Sequence, residues 1–338
     1  MPGVSPPMRN LSKSQASHPH TGRKEPTMSN VPRLISATGS QIEKFGPMDL
    51  KQSILKSEGR VVCGQHLLFA DRGLVRGVTN SELMFAFGAD MVMLNTIDLD
   101  DFDNNPGLQG KSIAELKALC RRPIGVYLGC PGANAENEHL YAMDGMLATP
   151  EHVAKAIEMG ADFIVLGGNP GSGTRIADTL AATKRIKDEF GDRVFLWAGK
   201  WEDGITEPVL GDPLAKAMGR DDKEIIRQFI DAGADCIDLP APGTRSGITV
   251  EDLRELTTFA HAYKPGTLVM SFLNSSVECA DEDTIRQVTI LMKQTGADIL
   301  CIGDGGFGGG SRPENIHQMS VTAKGLHYTY FRMASVNR

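Results

Sequence analysis

The chain has 338 residues, 41% apolar and 23% charged, a balance that can bury a sizeable core and suits one large domain or two ordinary ones. Lys plus Arg number 35 against 42 Asp plus Glu, a net charge of −7, which argues against a generic nucleic-acid binder. No apolar run approaches the roughly 20 residues of a membrane helix, and six cysteines without CxxC or Cys/His zinc spacing make neither a disulfide framework nor a zinc site.

Residues 1–32 are rich in Pro, Ser, Lys and His and lack apolar periodicity. They are expected to form a disordered leader. No apolar segment of secretion-signal type is present, so the cytoplasm is the expected compartment. Met28 opens a more ordinary start, so the leader reads as a start-site or cloning addition. A short helix follows at 48–58.

From Arg60 onward one pattern repeats: an apolar run, a glycine-rich loop, an amphipathic helix. The tripeptide Gly-Ala-Asp recurs at Gly88, Gly160, Gly233 and Gly296, at intervals of 72, 73 and 63 residues. Glycine ends a helix well because it tolerates the left-handed conformation. An apolar strand follows each time, at 91–95, 163–167, 236–240 and 299–303. Intervals near 72 hold two βα units, and the intervening strands read at 61–65, 124–128, 194–199 and 267–272. Continuous apolar runs suit a parallel sheet buried on both faces. Helices are expected at 80–87, 112–120, 150–159, 175–190, 222–232, 250–262, 281–295 and 312–326. Eight such units in under 300 residues predict an α/β fold, a single (β/α)8 TIM barrel over 33–338. The rival, a doubly wound open sheet, lacks its early GxGxxG fingerprint here.

In such a barrel the chemistry lies in the loops after the strands. Loop 1 offers Gln65, His66, Asp71 and Arg72. Loop 2 offers Asn95, Asp98, Asp100, Asp101 and Asp103. A long loop 3, 129–149, carries Glu136, Glu138 and His139. Loop 4 reads Gly167-Gly168-Asn169-Pro170-Gly171-Ser172-Gly173-Thr174. Strand 5 ends in Lys200, Glu202 and Asp203, and its loop runs to about Arg220. Strand 6 carries Asp238, followed by Pro240 to Gly247 with Arg245 among them. Strand 7 gives Ser271, Asn274 and Ser275. Loop 8 reads Gly303-Asp304-Gly305-Gly306-Phe307-Gly308-Gly309-Gly310, and Arg312-Pro313 opens a helix.

Loop 8 is the most specific signal, because glycines bring backbone N–H groups to an anion at a helix N-terminus. From Ser271 to Asn315 the pattern resembles the phosphate-binding (β/α)8 barrels. That resemblance implies phosphate binding at Gly305, Gly306 and Ser275. Asp304 departs from it, since a carboxylate there repels an anion. Gly168, Asn169 and Gly171, with Asn95, form a second candidate anion or substrate site. Asp98 and Asp100 are candidate ligands for Mg2+, the one cofactor considered. Lys200, at the end of strand 5 beside Trp197 and Trp201, is a candidate Schiff-base or anion-binding lysine. Asp238 is a candidate base, costly to bury unless paired, and His66 an alternative acid–base group. Across most of 34–338 the chain also resembles a bacterial barrel group described as phosphonomutase-like or hydrolase.

The expected function is a cytoplasmic enzyme acting on a small phosphorylated or carboxylated metabolite, by lyase, aldolase or isomerase chemistry through Lys200 and Asp238. The alternatives are a Mg2+-dependent lyase or hydrolase of the phosphonomutase and isocitrate-lyase kind, and a sugar-phosphate sensor without turnover. The expected partner is a small anionic substrate, with neither nucleic acid nor membrane, and a homo-oligomer is expected. The long loops after strands 3 and 5 are expected to act as lids.

Overall fold

The structure, a computed structural model, describes residues 3, 31–69, 73–130, 143–202, 204–303, 308–335 and 338. Eight parallel strands close into a barrel in chain order. They are β1 (Val61–Leu67), β2 (Met91–Asn95), β3 (Ile124–Gly129), β4 (Phe163–Gly167), β5 (Leu196–Gly199), β6 (Cys236–Pro240), β7 (Leu268–Leu273) and β8 (Ile299–Ile302). The last pairs back onto the first, Val61 opposite Ile299. Three expected strands have the observed bounds and the other five shift by at most two residues at either end.

The helices are α1 (Gly39–Ile42), α2 (Pro47–Leu55), α3 (Asn80–Ala86), α4 (Ile113–Cys120), α5 (Pro150–Glu158), α6 (Ile176–Phe190), α7 (Pro213–Ala217), α8 (Asp222–Asp231), α9 (Val250–Tyr263), α10 (Glu282–Gln294) and α11 (Pro313–Ala334). Thr79, Ser112 and Thr249 open α3, α4 and α9 with capping boxes, which satisfy the orphan N–H groups of a helix start. α11 runs beyond its expected end at 326. It is broken at Gly325, whose φ of 76° is left-handed. No helix among the described residues is long and apolar enough to cross a membrane.

Alternation along the strands sorts the core into two layers. Val62, Val92, Val126, Ile164, Leu196, Ile237, Val269 and Leu300 face outward to the helices. Cys63, Met93, Tyr127, Phe163, Trp197, Cys236, Met270 and Cys301 face the barrel interior. Leu34, Ile35, Leu50 and Ile54 belong to that inner layer, so the segment before β1 packs its apolar side onto the barrel interior. Val31 and Pro32 are tied to α2 through their carbonyls, which accept Lys56 Nζ at 2.9 Å and Ser53 Oγ at 2.7 Å. The compact unit containing the barrel is Val31–Arg338.

The Gly-Ala-Asp repeat has a structural role that composition does not reveal. Each aspartate immediately precedes an even-numbered strand and grips the start of the odd-numbered strand before it. Asp90 N–H donates to the Val62 carbonyl at 2.8 Å, and Val62 N–H donates back to Asp90 Oδ2 at 2.9 Å. The same two-point clamp joins Asp162 to Ile124, Asp235 to Leu196 and Asp298 to Val269, with return bonds of 2.9, 3.1 and 2.8 Å. Every clamp carboxylate also meets a basic side chain. Asp90 meets Lys324 and Arg332 at 2.5 and 3.0 Å. Asp162 meets Lys117, and Asp235 meets Lys51 and Lys187. Asp298 accepts from His261 at 2.9 Å. Among the four, only the Asp90 cluster is fully sealed, with side chains at 0% exposure.

The loop after β5 does not match the expectation of a structureless lid. Val209 and Leu210 are buried in the outer core, and Leu210 N–H donates to the Lys200 carbonyl at 2.9 Å. Asp212 caps α7, and Arg220 binds Asp222 and the carbonyls of Pro208 and Val209. The two apolar residues anchor the loop's second half. In the loop after β3, residues 131–142 lie outside the described residues, with Glu136, Glu138 and His139.

Two outcomes test the clamps. Asp90→Ala leaves Lys324 and Arg332 buried without their counter-charge, a loss of about 3–5 kcal/mol. Asp162→Ala, whose partner Lys117 is one-third exposed, loses less. Chemical denaturation of the two variants measures the order. Separately, the Asp298 hydrogen bond raises the His261 pKa above its ordinary 6.5. The folded state then binds the proton more tightly than the unfolded chain. Its stabilisation is complete below pH about 6.5 and is lost as pH rises through the raised value. His261→Gln flattens that part of the stability curve, read by thermal unfolding across pH 5 to 9.

Candidate active site

The inward-facing residues near the strand ends form an acid-bearing interior. Its lower part is aromatic. The rings of Phe163 and Trp197 stack with centroids 4.5 Å apart, and Phe195 meets Trp197 edge-on at 5.6 Å. Above them Trp201 meets Tyr127 edge-on at 5.9 Å and Phe272 at 6.1 Å. Inward glycines make room for these rings. A Cβ on Gly167 would lie 2.5 Å from the Trp201 ring and 2.8 Å from Tyr127 Oη.

Asp238 projects into this interior from β6. Its place follows from alternation, two residues after inward-facing Cys236. It is 0% exposed, and neither carboxyl oxygen has a hydrogen-bond partner among the described residues beyond a weak approach of the Cys236 thiol. Burial drives its pKa well above the ordinary carboxyl value, and the negative charge of Glu202 pushes the same way. The Cys236 thiol offsets only part of this. The shift favours the protonated acid over the carboxylate. Glu202 is 7% exposed and accepts a hydrogen bond from Tyr127 Oη at 3.0 Å. Burial, then the charge of Glu202, raises the Tyr127 pKa well above 10.0. A phenol that stays protonated is a fixed donor to Glu202. Gly199 allows the close approach of β5 to β6, since a Cβ there would lie 2.1 Å from the Asp238 carbonyl oxygen.

At the rim, Asn95 and Asn169 hold each other through reciprocal amide bonds of 2.8 and 3.2 Å. Asn95 Oδ1 also accepts from Thr96 N–H at 2.7 Å. Thr96 has φ +58°, a left-handed conformation uncommon for a β-branched residue. It is held by Thr96 Oγ1, which accepts from Leu68 N–H at 3.1 Å. The loop after β7 is similarly wound, with Ser275 and Ser276 at φ +62° and +70°. Ser275 Oγ donates to Asn274 Oδ1 at 3.2 Å. Gly305 and Gly306 lie outside the described residues.

The other expected residues take different positions. His66 falls on the outward parity of β1. Its Nδ1 lies 2.8 Å from Ser81 Oγ on α3, and it is 0% exposed. Burial lowers its pKa to about 3, which keeps it neutral. Lys200 alternates with outward-facing Leu196 and Ala198 and donates to the Thr174 carbonyl at 2.8 Å. Trp197 and Trp201, expected beside it, face the interior instead. Gly168 packs beneath Thr174, where a Cβ would sit 2.1 Å from Thr174 Oγ1. Gly171 takes φ +88° in the turn that follows, closed by Ser172 N–H on the Asn169 carbonyl at 3.0 Å. Asp98 organises its own loop. Its Oδ1 accepts from the N–H groups of Asp100 and Asp101, and its Oδ2 from Asn104. Asp100 faces His152 and Lys155 at 3.2 and 3.3 Å. Among the described residues no three His, Cys, Asp or Glu side chains are grouped to hold a metal ion.

Tyr127 was not legible as a site residue. It sits mid-strand in an apolar run, and only the inward parity of β3 could have pointed to it. Glu202 was visible at the end of strand 5 but could not be ranked above its neighbours.

A family profile described as Domain of unknown function (DUF7916) matches residues 35–338. No curated protein matches the sequence. Among solved structures, the chain is similar to a candidate fructose-1,6-biphosphate aldolase from Coccidioides immitis. That match has 11% identity and a TM-score of 0.45, over 86% of this chain and 97% of that one. It is also similar to a Schiff-base-forming fructose-1,6-bisphosphate aldolase, at 14% identity and a TM-score of 0.45, over 85% and 98% of the two chains. Neither is described as a phosphonomutase, and at this level the likeness adds nothing to the barrel already described.

A raised acid leaves a signature in stability. Folded Asp238 keeps its proton at pH values where the unfolded chain has lost it. Stability therefore falls as pH rises from about 4 toward the folded pKa. Asp238→Asn removes that slope and raises the unfolding midpoint at pH 7, as expected when an ionisable group is buried at a cost to the fold. Thermal unfolding of both proteins between pH 4 and 9 measures it, and identical profiles would contradict the raised acid.

Proposed function

The chain belongs to the DUF7916 family, and for it we propose an enzyme that moves protons on a small anionic metabolite, of lyase, aldolase or isomerase type. The observation that carries this reading is Asp238, a fully buried acid whose two oxygens are left without partners inside the barrel. A purely structural carboxyl in such a place would be hydrogen-bonded, because leaving it bare costs several kcal/mol, roughly 2–7 even for a neutral polar group. Unfilled polar atoms below strand ends suit a group kept for substrate.

Glu202 and Asp238 have different surroundings, which separates their roles. Tyr127 donates to Glu202, a bond that favours the carboxylate, so Glu202 is the base. Asp238, held protonated, is the acid. A base and an acid on one substrate carbon skeleton perform enolisation, isomerisation or aldol cleavage. The base takes a proton from carbon or hydroxyl, and the acid returns one to the developing oxyanion or carbanion. Lys200 remains the alternative centre. A Schiff base there requires its ammonium to leave the Thr174 carbonyl and turn inward past the strand, a movement the two carboxyl groups do not need.

The test is turnover and deuterium wash-in from D2O, followed by NMR over a panel of hydroxy acids, keto acids and sugar phosphates. Asp238→Asn and Glu202→Gln are each expected to slow the active substrate by about 10²–10⁴-fold. Borohydride added during turnover provides the opposing result. If it fixes substrate mass onto Lys200 while both carboxyl variants keep full rate, the acid–base reading fails.

A further inference from the structure

We propose that Arg245 binds the anionic group of the substrate, a carboxylate or a phosphate, and so sets which end of the molecule enters the barrel. The inference rests on the acid–base reading for the identity of the ligand as substrate, but the observations behind it are separate. Arg245 lies in the loop between β6 and α9, on the same face as the strand ends. Its Nε is buried and has no hydrogen-bond partner. Among the described residues, no carboxylate lies within ion-pair distance of its guanidinium and no acceptor takes its N–H groups. Arg122 Nε is likewise buried and unpartnered, but the guanidiniums of Arg122, Arg220 and Arg332 are each held by protein acceptors through other nitrogens. Arg122 binds the Arg332 carbonyl and Ser335, Arg220 binds Asp222 and two carbonyls, and Arg332 binds Asp90. A guanidinium offers five donors in a fixed fork. Leaving the buried Nε donor empty is unfavourable unless something else fills it, while the half-buried Nη groups stay open toward the strand ends.

The guanidinium is also held in place. It leans across to the loop after β5, where a Cβ on Gly204 would lie 2.9 Å from Nη1 and 3.5 Å from Cζ. Gly204 comes two residues after Glu202, so the cation stands over the segment that carries the base. Asp238 enters the same mouth from β6, the strand that leads to Arg245. A ligand with its anionic group on Arg245 therefore directs its remaining carbons toward the two carboxyl groups. Without that cation the acidic interior would repel an anion. The arrangement selects a molecule with one anionic end and a neutral, reactive carbonyl or hydroxyl end.

Inorganic phosphate and malonate serve as probes. Each is titrated into the full chain by calorimetry, with the fluorescence of Trp197 and Trp201 as a second readout. At least one probe is expected to bind, and Arg245→Met to weaken it by about tenfold or more, with unchanged circular dichroism. Gly204→Ala, which displaces the guanidinium without removing it, weakens binding in the same direction. Arg245→Lys separates the two chemistries. It retains much of the affinity for phosphate, which accepts a point charge, and loses that for a carboxylate held by the planar fork. Wild-type affinity of Arg245→Met for both probes overturns the proposal, as does the absence of binding of either probe to the wild-type chain. The two readings fail separately. If Asp238→Asn abolishes turnover while Arg245→Met changes neither binding nor turnover, only the arginine is wrongly assigned. If Arg245→Met abolishes binding while Asp238→Asn turns over normally, the anion site stands and the acid–base reading falls.

Discussion

Closure of the barrel rests on a bond made four times: an aspartate before each even-numbered strand clamps the first residues of the strand before it. A parallel strand begins with N–H groups that its neighbour cannot yet reach. A carboxylate placed one residue before that neighbour accepts the exposed N–H while its own backbone donates back. The two contacts fix the stagger between the strands of each pair, and stagger is what a closed barrel must satisfy all round. The clamps charge the lower end of the barrel negatively, and each is compensated by Lys, Arg or His from the surrounding helices. In this way Lys324 and Arg332 on α11 and Lys51 on α2 are drawn against the strands.

With the lower end locked, the interior changes character upward. Stacked aromatic rings fill the region between the clamps and the strand ends. They exclude water and lower the local dielectric, which makes a bare carboxyl at Asp238 expensive to ionise. Asp238 is left bare in that interior, while the clamp carboxylates below are fully engaged. That contrast within one molecule separates the clamp carboxylates, engaged by the fold, from Asp238, which the fold leaves bare. It also gives Asp238 and Glu202 different surroundings, because one faces apolar rings and the other a phenol that donates to it.

Strand parity accounts for the residues that changed meaning. His66 and Lys200 sit at strand ends, where side chains are expected to serve the site. Each falls on the outward face, where His66 Nδ1 meets Ser81, with its Nε2 unpartnered, and Lys200 donates to the Thr174 carbonyl. One residue along the chain, Gln65 and Trp201 take the inward places. A shift of one position exchanges the faces of every side chain on a strand. Asp98 shows a different limit. An acidic run in a loop suggests a cation, but short polar loops also fold around their own carboxylates, and Asp98 accepts three such bonds.

The sequence by itself determined the eight units, their order and the bounds of most strands, because the Gly-Ala-Asp repeat and the apolar runs are local signals of fixed period. It also marked Asp238, since an acid inside an apolar strand is anomalous wherever the strand lies. Only the tertiary structure decided what the repeated aspartates do, because their partners are 28 to 39 residues away in the chain. The pairing of Tyr127 with Glu202 spans 75 residues, and the reach of Arg245 to Gly204 crosses from one strand's loop to the next. Such contacts depend on barrel curvature, which brings the ends of separate strands to a common axis. No local pattern records that convergence.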